Sequence, residues 1–284
     1  LPSGNAIILF FYNGGISHEI AFGELLKNGE NFAWRLVKEF DSHKEKGGLV
    51  NVSTDGETFG HHHYFGNMAL SYCLRTIEKN KLARLTNYAE YLEKFPPAFE
   101  VDIHENTSWS CAHGIERWRS NCSCGSLEGT NANQSWRQYL RESLDWLRDQ
   151  LTIIYEVEWP VVLGDPWKVR NDYISIILAV SHDNVVSLLG DMLDAKKSLA
   201  LLEMQRYSML MYTSCGWFFE DISRIETIKI LQYAARAIEL AREITRKNLE
   251  PEFLARLEKA QSNYPDLDNG KKIYEMFVKT GILG

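Results

Sequence analysis

The stretch Leu140-Arg-Glu-Ser-Leu-Asp-Trp-Leu-Arg-Asp-Gln-Leu-Thr-Ile-Ile154 has the clearest periodicity in the chain. Its leucines and Ile154 return every three or four residues, as on one face of an α-helix. Asp165-Pro166 predicts another helix start, with an N-cap followed by proline at the first helical position. Further helical patterns follow at residues 183–211, 222–247, 251–262 and 270–280. We therefore predict an all-α helical bundle over residues 131–284.

Upstream of the bundle, apolar runs and helical patterns alternate. Residues 6–12 are apolar throughout, which is typical of a buried strand, and Gly14-Gly15 follow them. Shorter strand-like segments lie at residues 49–53, 84–86 and 99–104, with helical patterns at 18–40 and 68–79 and a short helix capped by Asn87. This order is that of an α/β fold. We predict an α/β N-terminal part, an incomplete β/α barrel segment, over residues 1–130.

The composition narrows the class of protein. The chain has 284 residues, 45% of them hydrophobic and 24% charged, as in an ordinary globular protein. The net charge is −7 and no basic stripe occurs, which argues against binding to nucleic acid. The longest apolar run, residues 6–12, is far too short for a membrane span. Five cysteines argue against a disulfide framework, so we expect a cytoplasmic protein.

The densest polar cluster is Thr54-Asp-Gly-Glu-Thr-Phe-Gly-His-His-His63, which directly follows a predicted strand. Loops at that end of a strand commonly carry reacting groups in α/β folds. A carboxyl beside a second carboxylate in a partly dry pocket can act as a general acid near neutral pH, and Asp55 and Glu57 are two residues apart. The alternative is a solvated Asp-Gly turn. Three consecutive histidines argue against it, because a turn does not need them.

A second polar segment runs from His104 to Trp118, again just after a predicted strand. Indole rings among His, Glu and Arg suit a sugar, whose C–H faces stack on the ring. The alternative is that Trp109 and Trp118 are core anchors, which we favour for Trp118. The segment Tyr212–Asp221 has two readings of equal weight, a wall of the cleft or an aromatic plug between helices.

Four soft metal ligands, Cys111, His113, Cys122 and Cys124, lie in and just after the second segment. A tetrahedral zinc site would use such residue types. The Cys-x-His and Cys-x-Cys spacings are not those of the usual zinc knuckle, however. We therefore favour ordinary buried thiols over a structural zinc.

Three of these segments resemble motifs of glycoside hydrolase family 57. Asp55-Gly-Glu-Thr-Phe-Gly-His61 resembles its fourth motif, in which a Phe-Gly pair follows an Asp-Gly-Glu core. Ser108-Trp109, with Gly114 and Trp118, resembles its fifth motif. Ser214-Cys-Gly-Trp-Phe218 is similar to an element that the helical domain of the family contributes to the cleft. The chain as a whole resembles the domain of unknown function 3536 that follows a family 57 catalytic half.

The resemblance implies retaining hydrolysis of an α-glucan or oligosaccharide, or transfer of its sugars, with Asp55 as general acid/base. It implies no metal and no organic cofactor. Trp109 and Trp217 would be stacking walls that stay partly exposed near the loop of Asp55. The predicted substrate-binding residues are Glu57, His61, His62, Trp109, His113 and Trp217.

The second carboxylate of such a mechanism has no equivalent here. A retaining glycosidase needs two carboxyls about 5–5.5 Å apart. The family's nucleophilic Glu lies upstream of the acid/base motif, but Glu19, Glu24 and Glu39 occur in helical patterns instead of at a strand end. We therefore expect the chain to be the C-terminal portion of an enzyme, with the upstream catalytic half of the parent chain as its partner. The isolated chain is predicted to be inactive.

Two other functions remain open at this point. A metal-dependent hydrolase could use Asp55, His61 and His63, with His113 as an optional further ligand, because imidazole and carboxylate are standard ligands for zinc or manganese. A non-catalytic carbohydrate-binding or regulatory domain would keep a cleft without turning over substrate.

Overall fold

A computed structural model of the protein describes residue 4 and residues 6–42, 48–124, 132–178 and 192–279. The chain divides into two units, Leu1–Asp102 and Ile103–Gly284. The domain boundary predicted at residue 130 falls between the described ranges and stays a prediction. None of the helices within those ranges is long and apolar enough to cross a membrane.

Helices build the first unit. They are α1 (Gly14–Phe22), α2 (Gly29–Val37), α3 (Glu39–Ser42), α4 (Gly66–Lys79) and α5 (Tyr88–Lys94), with 3₁₀ turns at Leu25–Lys27 and Gly56–Thr58. Three of the helices have an asparagine N-cap. The Oδ1 atoms of Asn13, Asn28 and Asn87 accept backbone N–H groups of the first turn. The predicted helix cap at Asn87 is confirmed.

The core of the first unit lies where α2 meets α4. A Cβ on Gly29 would lie 2.7 Å from the carbonyl oxygen of Ala69 and 2.8 Å from the Cβ of Tyr72, so a larger residue would push the two helices apart. The residues buried there are small or aliphatic apart from one phenylalanine: Ile16, Ile20, Leu26, Phe32, Ala33, Ala69, Cys73 and Ile77.

The predicted α/β fold class is wrong. In the part of the first unit that the structure describes, no strand forms, and hence no segment of a β/α barrel. The predicted strands over residues 6–12 and 99–104 expose their apolar side chains instead, with Phe11 at 74% and Phe99 at 89% exposure. An alternating or apolar pattern marks side chains that suit a sheet, but a strand also needs a neighbour to pair its backbone N–H and C=O groups.

The second unit is a helical bundle. Its helices are α6 (Trp136–Glu158), α7 (Pro166–Leu178), α8 (Met192–Leu210), α9 (Ile225–Thr245), α10 (Glu250–Leu257) and α11 (Gly270–Phe277), with 3₁₀ turns at Glu116–Trp118, Val161–Leu163 and Ser214–Trp217. The first part of the helix predicted over residues 183–211 lies outside the described residues, and α8 is the rest. The predicted cap before α7 is confirmed, since Asp165 Oδ1 accepts the N–H of Trp167 at 2.9 Å.

Helix α6 runs through the middle of this unit. Leu140, Leu144, Leu147 and Leu151 have no solvent exposure, which confirms the helical stripe read from the sequence. Each such burial stabilises the fold by roughly 1.5–3 kcal/mol relative to an exposed side chain. Helices α8, α9 and α10 supply most of the partners of α6 in the core.

Candidate functional site

The loop Asp55–His63 in the first unit is wound on its own backbone. Asp55 O accepts the N–H of Thr58 at 3.1 Å, and Glu57 O accepts the N–H groups of His61 and His62 at 3.1 and 3.0 Å. Gly60 has φ of +123°, a conformation that other residues rarely adopt. The motif therefore needs a glycine after Phe59 for a local reason, because only glycine readily adopts the backbone conformation that leads the chain into the three histidines.

The predicted catalytic and substrate-binding side chains of this loop face solvent. Asp55, Glu57, His61 and His62 are exposed, and the rings of the two histidines lie 5.2 Å apart. Neither carboxylate is buried by the described residues, so the partly dry pocket expected from the sequence is not formed within this unit. His63 differs from its neighbours, since it is half-buried and its Nε2 lies 2.9 Å from Ala21 O.

Other carboxylates of the first unit are held by basic side chains. Arg35 binds Glu19 at 2.9 Å and also pairs with Glu39. The hydrogen bond from Arg35 is the main cause that holds the pKa of Glu19 below its usual range. Glu24 pairs with Lys27. The prediction that these acids lie in helices is confirmed for Glu19 and Glu39, whereas Glu24 directly precedes a 3₁₀ turn. Their ion pairs make all three poor candidates for a free nucleophile.

Trp109 and Trp118 take different positions in the second unit. The Trp109 indole is 79% exposed, as a stacking platform for a sugar would be. Trp118 is half-buried, and its Nε1–H donates to Ser214 O at 3.1 Å. Gly114 closes the loop between them: its φ is +75°, and a Cβ there would lie 2.1 Å from Asn106 O.

The segment Tyr212–Asp221 packs as an aromatic plug. The Trp217 indole is 1% exposed, and its Nε1–H donates to Arg137 O at 3.2 Å. The expectation that Trp217 is partly exposed is therefore wrong. The small residue before it serves packing, because a Cβ on Gly216 would lie 1.6 Å from Ile230 Cδ1.

Two arginines are buried although the sequence does not predict it. Arg137 has no exposure, and its guanidinium donates to Phe218 O and Phe219 O at 3.2 and 3.0 Å. Arg117 is 5% exposed and donates to Phe218 O at 2.7 Å and Ser110 O at 2.9 Å. An arginine in a polar segment or at the start of an amphipathic helix is normally on the surface, so no sequence signal marks either of them.

Cys111, His113, Cys122 and Cys124 come together in the second unit. One donor atom of each lies within 4.8 Å of the other three. Although burial opposes the charged form, hydrogen bonds from His113 and Arg117 N–H groups lower the pKa of the Cys111 thiol to about 7. Burial and the neighbouring thiols raise the pKa of Cys124 to about 11.

Among the described residues, these four form the one cluster of three or more side chains that could hold a metal ion. Asp55, His61 and His63 do not form such a group there, although they were the ligands of the predicted metal-dependent hydrolase. The donor set that does assemble is rich in thiols, which suits a closed structural site better than a hydrolytic one.

Comparisons with known proteins match a different family model in each part of the chain. Residues 1–104, which include the loop of Asp55, match Glycosyl hydrolase family 57, so this part is glycoside hydrolase-like. Residues 132–284 match the Domain of unknown function (DUF3536). That match covers more than half of the sequence, and the chain belongs to this family. Neither a search of curated proteins nor one of solved structures found a match.

Proposed function

We propose that the chain is the acid/base-bearing part of a retaining enzyme that acts on α-glucans or related oligosaccharides. The observation that carries the proposal is the family 57 match across residues 1–104, which contains the exposed loop Asp55–His63. The backbone hydrogen bonds of that loop support it, because they hold the polar side chains on a fixed frame facing solvent.

Asp55 is the proposed general acid/base. It protonates the glycosidic oxygen as the first bond breaks, and then removes a proton from the water or sugar hydroxyl that attacks the glycosyl-enzyme. Glu57, His61 and His62 offer acceptors and donors for sugar hydroxyls from the same loop.

In the second unit, Trp109 is the proposed stacking residue, since most of its indole is open to solvent. His113 is proposed to donate to a sugar through Nε2, because its Nδ1 is directed at Cys124 Sγ. Trp217 is left out of this proposal, because a buried indole presents no face to a sugar.

The nucleophilic carboxylate is proposed to come from the upstream catalytic half of the parent chain. Glu19 and Glu39 are already engaged by Arg35, and each would lose that ion pair on attacking a sugar. We expect the 284-residue chain alone to leave maltooligosaccharides intact, because one of the two carboxyls is then missing. A cytoplasmic location fits the free thiols and is part of the same proposal.

Replacing Asp55 by Asn in the full parent protein tests this assignment. We expect the rate of maltooligosaccharide turnover to fall by about 10²–10⁴-fold, the usual contribution of a general acid/base. The loss should be smaller for an aryl glycoside whose leaving group needs no proton. Azide, which needs no general base, should restore turnover of that substrate and give a glycosyl azide.

Glu57→Gln is the matched control, because it changes another exposed carboxylate of the same loop. It should alter substrate affinity more than the rate, and azide should not rescue it. If Asp55→Asn lowers turnover equally for both substrates and azide has no effect, Asp55 is not the acid/base. A parent protein that binds oligosaccharide without turnover would instead favour a non-catalytic binding domain.

A further inference from the structure

We propose that Cys111, His113, Cys122 and Cys124 form a structural zinc site in the second unit. The ion itself takes no part in glycoside chemistry, because its four protein ligands leave no coordination position for a reacting water or sugar, while Nε2 of His113 stays free to donate. Sequence spacing alone favours ordinary thiols for these residues, and the geometry points to the opposite assignment.

Two of the distances between donor atoms are close to those of a tetrahedron around zinc. A Zn–S distance of about 2.3 Å places two sulfur ligands about 3.8 Å apart, and a sulfur and a nitrogen ligand about 3.5 Å apart. Cys111 Sγ lies 3.8 Å from Cys124 Sγ, and His113 Nδ1 lies 3.3 Å from the same sulfur. With all four donors within 4.8 Å of one another, small side-chain adjustments suffice to bring them to one ion.

The backbone explains how such short spacings still converge. Ser123, between the two cysteines of the Cys-x-Cys pair, has φ of +62°, the left-handed conformation that non-glycine residues seldom adopt. This residue reverses the local chain, so that both flanking thiols lie at the cluster. On the other side, Gly114 N donates to Cys111 O at 3.0 Å and closes a turn around His113.

Buried positive charge around the cluster favours an anionic complex. Arg137 donates to Cys122 Sγ at 3.3 Å, and its other hydrogen bonds go to amide and carbonyl oxygens. Arg117 reaches carbonyl oxygens in the same way. Zinc with three thiolates and a neutral imidazole carries one net negative charge, which offsets the cost of burying these guanidinium groups.

The N–H···S contact of Arg137 is a typical outer-shell interaction of a zinc thiolate. On zinc binding, the thiols that become ligands release their protons to solvent, while the imidazole binds through Nδ1 and keeps its proton on Nε2. The ion then closes residues 111–124 on themselves, and the hydrogen bond from Arg137 to Cys122 Sγ joins them to the first turn of α6.

Metal analysis of the purified, reduced 284-residue chain tests the proposal directly. We expect about one zinc per chain after dialysis against metal-free buffer. Cobalt(II) added to the zinc-depleted protein should give the intense visible bands and thiolate charge-transfer absorption of a tetrahedral sulfur-rich site. Both signals should be absent from Cys122→Ser and unchanged in Cys215→Ser, which changes an exposed cysteine outside the cluster.

His113 supplies a variant that does not disturb the core, because its side chain is exposed. His113→Ala should weaken zinc binding by more than the 10- to 100-fold typical of losing an outer-shell partner. His113→Cys keeps four ligands and should restore stoichiometric zinc with a more thiolate-like cobalt spectrum. Loss of zinc should also lower the melting temperature of the wild-type chain.

Three results would overturn the assignment. They are a folded wild-type chain with titratable thiols that takes up neither zinc nor cobalt, equal metal content in the cluster variants and Cys215→Ser, and a Cys111–Cys124 disulfide in protein purified under reducing conditions. None of these readouts involves sugar turnover, so their failure leaves the proposed function standing, and the reverse also holds.

Discussion

Gly216→Ala should destabilise the second unit, because the new methyl group has no space. An ideal Cβ at this position lies 1.6 Å from Cδ1 and 2.6 Å from Cγ1 of Ile230. Carbon atoms normally approach to about 3.5–4.0 Å. Ile230 is 1% exposed and β-branched, so it has few other rotamers to adopt. Overpacking of this kind costs about 1–3 kcal/mol, and contact with two carbons puts Gly216→Ala near the upper limit.

A double-mutant cycle isolates the contact. Ile230→Ala removes both clashing atoms and should by itself cost about 2–5 kcal/mol, as other large-to-small core changes do. Gly216→Ala together with Ile230→Ala should cost less than the sum of the two single changes by about 1–3 kcal/mol, because the added methyl then fills part of the cavity. Cys215→Ala, an exposed change in the same turn, should stay within about 0.5 kcal/mol of the wild type.

Urea unfolding followed by far-ultraviolet circular dichroism measures these free energies, with equal slopes required before values are compared. The added methyl also reduces the entropy of the unfolded chain, which favours the variant by about 0.4–1 kcal/mol where space allows. A Gly216→Ala variant as stable as the wild type, or an additive double variant, would show that this turn does not pack against Ile230. The segment Tyr212–Asp221 would then not be the plug described above.

Two further changes separate exposed from buried roles. Trp109→Ala should weaken oligosaccharide binding to the parent protein by about 1–3 kcal/mol with little loss of stability, which calorimetric titration measures. Trp217→Ala should destabilise the second unit by about 3–5 kcal/mol, which urea unfolding measures. Asp221→Asn should cost about 2–4 kcal/mol in urea unfolding, since the buried carboxylate accepts N–H and O–H groups from Ser262 and Asn263, and exposed Asp266→Asn is its neutral control.

Local patterns predicted the helices well and the strands wrongly, for a physical reason. A helix pairs its backbone within one segment, so the apolar spacing of residues 140–154 was enough to identify α6. A strand must find a partner elsewhere in the chain. Residues 6–12 have the composition of a strand, yet their exposed side chains and irregular backbone show that composition does not supply the partner.

Trp217 shows how one pattern can have opposite causes. Small residues beside a tryptophan can leave room for a ligand, and the Trp109 indole, which follows Thr107-Ser108, is indeed exposed. At Trp217 the small neighbour, Gly216, makes room for Ile230 from α9. Only the tertiary contact separates the two cases, because both sequences have the same local composition.

The irregular part of the second unit, residues 103–124, is held by side chains and not by regular backbone pairing. Arg117 bridges Ser110 O to Phe218 O, and Trp118 donates to Ser214 O. Both bonds reach the same plug, whose Trp217 is fixed on the backbone of α6. A substitution that displaces the segment Tyr212–Asp221 should therefore also affect the loop that presents Trp109. The carbonyl oxygens of Phe218 and Ser214, which hold Arg117 and Trp118, belong to that segment. The cysteine cluster would add a second anchor at the far end of this segment, so that the loop of the exposed Trp109 is fixed from two sides without a sheet beneath it.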